Sequence, residues 1–231
     1  MLTLGIDDAG RGPVLGSMFL AGVLLEKDHE AFLKKQGVTD SKLLFHFKRV
    51  VLAKVIEANC EDFHIVKASA NDIDFSIIHG INLNTLEAMK TAEIINKINN
   101  EKRHKEKIKV IVDCPSTNIV AWRNKLITFV KHINNLEVIC EHKADFNHPS
   151  VSAASILAKV EREKEIEKIK EQYKNLGNPG SGYPGDPSTQ EFLKKHGKEL
   201  KDSGIFRKTW STWKIMFPEK LPGQASLKDF K

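Results

Sequence analysis

The sequence predicts an α/β domain. Short, strongly apolar runs alternate with longer amphipathic stretches, which is the pattern of strands interleaved with helices. Several of the apolar runs end on an aspartate. With 231 residues, 41% of them hydrophobic, the chain can fill a core in one domain or one domain plus an appendage.

The elements follow in order. Residues 2–7 read as a buried strand and residues 18–25 as a second. Turn chemistry at residues 10–16 lies between them, so the two form a hairpin. Asp40-Ser41-Lys42 opens a loop, and residues 46–59 show helical periodicity. Residues 63–68 suggest a third strand. Residues 84–99 read as an amphipathic helix with Leu86, Met89, Ile94, Ile95 and Ile98 on its apolar face. A charged stretch, 99–109, leads to a short strand, 109–113, that closes on Asp113. A helix over 119–133 and a strand over 136–140 come next. Residues 150–173 form a long helix, apolar at its start and charged at its end. The Gly/Pro-rich run 177–187 is an ordered turn or loop. Short basic helices and a tail complete the chain.

Net charge is +6, and residues 190–231 carry ten Lys/Arg against five Asp/Glu. Such a surplus suits a polyanionic partner or a solvated lysine-rich surface. Cys60, Cys114 and Cys140 are odd in number, far apart and without a CxxC spacing. Disulfides and structural zinc are therefore not expected, and a reducing cytoplasm fits. The N-terminus carries no basic leader, and no apolar run reaches membrane-spanning length, so no membrane association is expected.

The chemistry centres on acids. Asp7 and Asp8 stand side by side at a strand end, with Gly10-Arg11-Gly12 directly after. Adjacent carboxylates repel, and a cation between or beside them relieves the repulsion. Asp113 closes another strand, and Asp145 follows the next. Acids at the C-terminal ends of neighbouring strands can converge in the crevice of an open α/β sheet. Carboxylate oxygens suit Mg²⁺ or Mn²⁺ rather than zinc, and paired ions of this kind serve phosphoryl chemistry. A single Asp is also an ordinary helix cap, a reading open for Asp145. Strand side chains alternate between faces, so Asp7 and Asp8 share one site only if the strand ends or bulges there. A dinucleotide fingerprint is excluded because Leu15 occupies the next required glycine position, and neither a Walker lysine motif nor a GxSxG elbow occurs. His142 and His148 read as surface residues.

Seven motifs, in order, resemble type 2 ribonuclease H (ribonuclease HII) in its archaeal and eukaryotic style. They are Gly5-Ile6-Asp7-Asp8-Ala9-Gly10-Arg11-Gly12-Pro13, Asp40-Ser41-Lys42, Val112-Asp113, His142-Lys143-Ala144-Asp145, Ser152-Ala153-Ala154-Ser155-Ile156-Leu157-Ala158-Lys159, Gly180-Ser181-Gly182-Tyr183-Pro184 and Phe206-Arg207-Lys208-Thr209-Trp210. The resemblance implies an RNase H-like mixed central sheet flanked by helices, with a C-terminal helical extension. It divides the chain into a catalytic domain (1–176), a substrate-sensing loop with the helical extension (177–222) and a tail (223–231). It implies cleavage of RNA in RNA/DNA hybrids and incision 5′ of a ribonucleotide embedded in duplex DNA, leaving 3′-hydroxyl and 5′-phosphate ends, in ribonucleotide removal and primer degradation. The four metal-binding acids map to Asp7, Asp8, Asp113 and Asp145, holding two Mg²⁺ or Mn²⁺ ions. Backbone groups of Gly10, Arg11 and Gly12 would read the ribose 2′-hydroxyl, the group that separates RNA from DNA. Tyr183 would sense the RNA-to-DNA junction, and Lys42 and Lys143 would bind nucleic acid. A monomer is expected.

Two features stand apart from the family pattern. Asp8 occupies a position where the family uses glutamate, which shortens the reach by one methylene. The end of the chain, with Gln224, Leu227 and Phe230, resembles the peptide that docks on sliding clamps but lacks the second aromatic. Two other readings share the acid pattern: a hybrid-binding protein without catalysis, and a different two-metal nuclease on the same fold. Four retained carboxylates argue against the first, and the Gly-Arg-Gly and Tyr183 motifs against the second.

Overall fold

A computed structural model describes residues 2–38 and 44–218. Lys42 and the tail residues Gln224, Leu227 and Phe230 lie outside the described residues. One five-stranded mixed sheet organises the chain, in the order β3-β2-β1-β4-β5. Strand β1 (Leu2–Ala9) pairs antiparallel with β2 (Met18–Leu25), which pairs antiparallel with β3 (Asp62–Ala68). On its other side β1 runs parallel to β4 (Ile108–Asp113), and β4 runs parallel to β5 (Leu136–Glu141). The predicted hairpin and all five strands are present, and β1 is the central strand.

Helices cover both faces. One face carries α7 (Pro149–Gln172), with α1 (Lys27–Lys35) and α2 (His46–Asn59) beside it. The opposite face carries α4 (Leu83–Ile98) and α5 (Ile119–Ile127), with α3 (Ala70–Ile78) next to α4. Because every residue of β2 is buried, this strand reads as a continuous apolar run rather than an alternating one. Short α6 (Ala144–Asn147) leads into α7. Beyond it, α8 (Pro187–His196) and α9 (Ser211–Met216) form the extension, packed on their own cluster of Val14, Leu15, Ile166, Phe192, Phe206 and Trp213.

One close approach fixes the layers. A Cβ at Gly5 would lie 2.1 Å from the Ser150 carbonyl carbon and 2.2 Å from the Val151 nitrogen. Only a glycine lets the first turn of α7 rest against the backbone of β1.

Two expectations need correction. The helix predicted over 119–133 stops at Ile127, where the Thr128 hydroxyl donates to the Lys125 carbonyl. Phe129, Val130 and Ile133 still pack on the core from turns, which preserves the apolar spacing without the helix. Met89, expected on the buried face of α4, is 38% exposed and lines an open groove with His64 and Phe129.

Candidate active site

Strand β1 carries Asp7 and Asp8 in unbroken register, opposite Ala21 and Leu20. No bulge interrupts the strand, so the two carboxylates leave it on opposite sides, and both still border one recess because the strand ends at Ala9, the next residue. Asp7 is buried toward α7, where its carboxylate meets the Ser155 side chain, and its Oδ1 accepts from the Asp8 backbone N–H at 2.7 Å. Burial, with repulsion from Asp8 and Asp113, holds its carboxyl well above the usual range. Asp8 turns toward α4. Burial and the neighbouring Glu87 carboxylate raise it to about 7, against the opposing pull of Arg11 and Lys159.

Asp113 ends β4, and its Oδ1 accepts from the Ala144 backbone N–H at 3.2 Å. That bond sets the N-terminal end of α6 against the acid. Asp145, next in sequence, is buried in the first turn of α6. Asp7, Asp8 and Asp113 line one narrow recess together with Glu87, Thr91 and Trp122. Among the described residues, no three His, Cys, Asp or Glu side chains are gathered tightly enough to cage an ion outright. The donor set nevertheless fits a hard divalent cation. It consists of carboxylate oxygens only, and the burial and mutual repulsion of Asp7, Asp8 and Asp113 are what a bound cation would offset.

Glu87 escapes a reading of α4 by its apolar face alone. It is 2% exposed, and its Oε1 accepts from Arg11 Nε at 2.8 Å while its Oε2 has no hydrogen-bond partner. Burial raises its carboxyl from 4.5 to about 7 despite Arg11. Asn84, one turn earlier, accepts from Arg11 Nη2 at 2.6 Å. The signal available in the sequence is the polar stripe Asn84, Glu87, Thr91, spaced by three and four residues beside the apolar face of an amphipathic helix.

The Gly-Arg-Gly turn and Tyr183 come together in the structure. They line one groove of about 390 Å³ with Asp8, Arg49, Lys159 and Arg162. Gly10 has φ +86°, and a Cβ there would meet the Ser17 carbonyl at 2.7 Å, so this position requires glycine. A Cβ on Gly12 would stand 3.6 Å from the Tyr183 ring. The Arg162 guanidinium lies 4.7 Å above the centre of that ring and donates to the Ser181 carbonyl. The glycine-rich loop is thus tied to the segment that follows the Gly-Arg-Gly turn: the Val14 and Leu15 backbone N–H groups donate to the Gly182 carbonyl. Lys143 is exposed at the start of α6 in a left-handed conformation, φ 58°, outside that groove's lining. His142 is exposed, and half-buried His148 is taken up by Glu141 at 2.9 Å.

The family model for ribonuclease HII matches residues 4–213 of this sequence. The chain belongs to the ribonuclease HII family. It is accordingly a ribonuclease H endonuclease, of the kind that cuts RNA in RNA/DNA hybrids, and this class depends on divalent metal ions. Ribonuclease HII of Methanocaldococcus jannaschii is 41% identical over 224 residues, covering 93% of this chain and 94% of the relative. That of Methanobrevibacter smithii is 39% identical over 213 residues, covering 92% and 96%. Among solved structures, ribonuclease H2 from Pyrococcus horikoshii superposes with a TM-score of 0.81 at 34% identity, covering 94% of this chain and 97% of that one. The ribonuclease HII in a complex with PCNA from Archaeoglobus fulgidus superposes with a TM-score of 0.77 at 35% identity, covering 99% and 100%. Among the described residues, no helix is long and apolar enough to cross a membrane.

Proposed function

We propose that this ribonuclease HII nicks duplex DNA on the 5′ side of a single embedded ribonucleotide, as well as cutting longer RNA/DNA hybrids, and serves ribonucleotide removal and primer degradation in the cytoplasm. The observation that carries this reading is the shared groove of the Gly10-Arg11-Gly12 backbone, Tyr183 and Asp8. A glycine backbone can approach a 2′-hydroxyl closely, and an aromatic ring beside it offers a surface to a sugar or base. Recognition of one ribose is then possible without a long RNA tract.

Asp7, Asp8, Asp113 and Asp145 would hold two Mg²⁺ or Mn²⁺ ions, and Glu87 borders the same recess. When bound, the ions supply activation of the attacking water and stabilisation of the leaving oxygen, which yields 5′-phosphate and 3′-hydroxyl ends. The chain's own groups do the rest. Lys159 and Arg162 offer positive charge to the phosphate backbone, with Lys143 and Lys42 as further contacts. Ser155 orients Asp7 through its hydroxyl, and the Arg11–Glu87 pair anchors the sugar-reading turn to α4.

The test is a labelled duplex carrying one ribonucleotide, incubated with Mg²⁺ or Mn²⁺. A nick immediately 5′ of the ribonucleotide supports the reading. Binding without a nick supports a hybrid-binding protein, and cutting of an all-DNA control supports a different nuclease. The A. fulgidus relative is seen with PCNA, and the C-terminal sequence here carries Gln224, Leu227 and Phe230. We read this tail as a sliding-clamp peptide that orders on docking. Equal clamp capture with and without residues 224–231 would end that part of the proposal.

A further inference from the structure

All three carbonyls of the Gly10-Arg11-Gly12 turn are held from behind by one short stretch of the C-terminal extension. The Arg207 guanidinium donates from Nη2 to the Gly10 carbonyl at 2.6 Å and from Nη1 to the Arg11 carbonyl at 2.8 Å. Its Nε donates to the Gly16 carbonyl at 2.9 Å. The Trp210 indole N–H donates to the Gly12 carbonyl at 3.2 Å, and its ring lies 4.9 Å from the same guanidinium.

Arg207 is completely buried, yet among the described residues it takes part in no ion pair with a carboxylate. A buried cation is costly, and its placement has to be repaid by well-formed hydrogen bonds. Here those bonds go to backbone carbonyls of residues 10–16, two of them in the turn itself. The stretch that carries it is itself braced. Leu15 and Phe206 form a β-bridge, the Arg207 backbone N–H donates to the Val14 carbonyl, and the Gly16 N–H donates to the Ile205 carbonyl. Buried Asp74 of α3 accepts from the backbone N–H groups of Lys208 and Thr209 and from the Thr209 hydroxyl.

Peptide geometry turns this bracing into function. On a trans peptide, the carbonyl and the following N–H point in opposite directions. Pinning the Gly10 and Arg11 carbonyls therefore aims the Arg11 and Gly12 N–H groups away from Arg207. We propose that Arg207 and Trp210 are positioning residues for the sugar-reading turn: they fix the direction of the Arg11 and Gly12 amides and so set the preference for a ribonucleotide over a deoxyribonucleotide. This rests on the assignment of that turn as the ribose reader.

The experiment compares full-length wild type with Arg207→Lys, Trp210→Phe and, as a packing control, Phe206→Leu. Fluorescence anisotropy without divalent ions measures affinity for a duplex with one ribonucleotide and for the same duplex in all-DNA form, and thermal melts run in parallel. Arg207→Lys and Trp210→Phe are expected to lower the ribo-to-deoxy affinity ratio by about tenfold, the equivalent of about one hydrogen bond to the ribose. Phe206→Leu should lower the melting temperature and keep the ratio. Where Arg207→Lys does not fold, Trp210→Phe decides, because it removes the N–H that holds the Gly12 carbonyl, and its loss of ring volume is matched by the Phe206→Leu control. A ratio kept in both positioning variants, or lost equally in Phe206→Leu, overturns the inference. Wild type that binds both duplexes equally overturns the ribose-reading assignment itself, and the inference with it.

Discussion

Replacing Glu87 with glutamine tests the electrostatics of the recess. The buried wild-type carboxyl is raised from 4.5 to about 7, a change that corresponds to about 3 kcal/mol. The folded value lies above the unfolded one, so the folded state binds more protons between them. Stability is full below about 4.5, falls as pH rises, and has lost the whole amount once pH passes about 7. The glutamine side chain resembles the protonated acid in shape and never ionises. In the metal-free state the two proteins should melt alike near pH 4.5 and diverge above it. By pH 8 the variant should be more stable by about 3 kcal/mol, or about 6–12 °C for a chain of this size. The gap should widen further because Asp8, held at about 7 partly by Glu87, titrates more easily without it. Thermal melts in EDTA across pH 4.5–8 measure this directly. Parallel curves for the two proteins would show that burial of Glu87 is not the governing effect, and a less stable variant at pH 8 would show that its pairing with Arg11 outweighs that burial.

Other substitutions probe separate links. Gly5→Ala forces a methyl within 2.1 Å of the Ser150 backbone, which should cost about 3 kcal/mol in a thermal melt; a wild-type melting temperature would contradict the close approach of β1 and α7. Asp7→Asn should reduce cleavage on the order of 100-fold or more while leaving duplex binding intact, read by gel assay and anisotropy. Asp8→Glu restores the longer acid and should change the relative rates with Mg²⁺ and Mn²⁺; an unchanged metal profile refutes a role for the shorter reach. Glu165 accepts from the Ser17 N–H and hydroxyl and pairs with Lys67, contacts that lower its carboxyl below the ordinary range. Its contribution is therefore present at neutral pH and lost under acid. Glu165→Gln should cost about 1–3 kcal/mol at pH 7 and less at pH 3, measured by denaturant titration.

Much of this arrangement is legible in the sequence, for identifiable reasons. Helix α2 can be read end to end because its burial is one-sided, and the strands because their apolar runs end at polar residues or glycines. Helix α1 is hidden because Leu33 is its single buried anchor, too little to set up a period. Helix α3 carries a legible start, since Ser69 and Asp72 form a reciprocal cap. Asp7, Asp8 and Asp113 are visible at strand ends and Asp145 just beyond one, but the opposite facing of Asp7 and Asp8 is not, because face depends on register. The burial of Glu87 and of Arg207 stays hidden for a shared reason: each is a charged residue buried by a segment distant in sequence, Arg11 for one and residues 10–16 for the other.

The central position of β1 has a consequence for biosynthesis. Its antiparallel partner β2 emerges from the ribosome almost at once, whereas its parallel partner begins only at Ile108. Until then the β1–β2–β3 meander has an uncovered rim of backbone donors and acceptors, on a strand that the finished fold buries along most of its length. Such a rim recruits other nascent chains as readily as its own partner. The interval between synthesis of residue 9 and residue 113 is thus the period in which this chain is most open to misassembly, and the same late arrival keeps Asp113 away from Asp7 and Asp8 until nearly half the polypeptide exists.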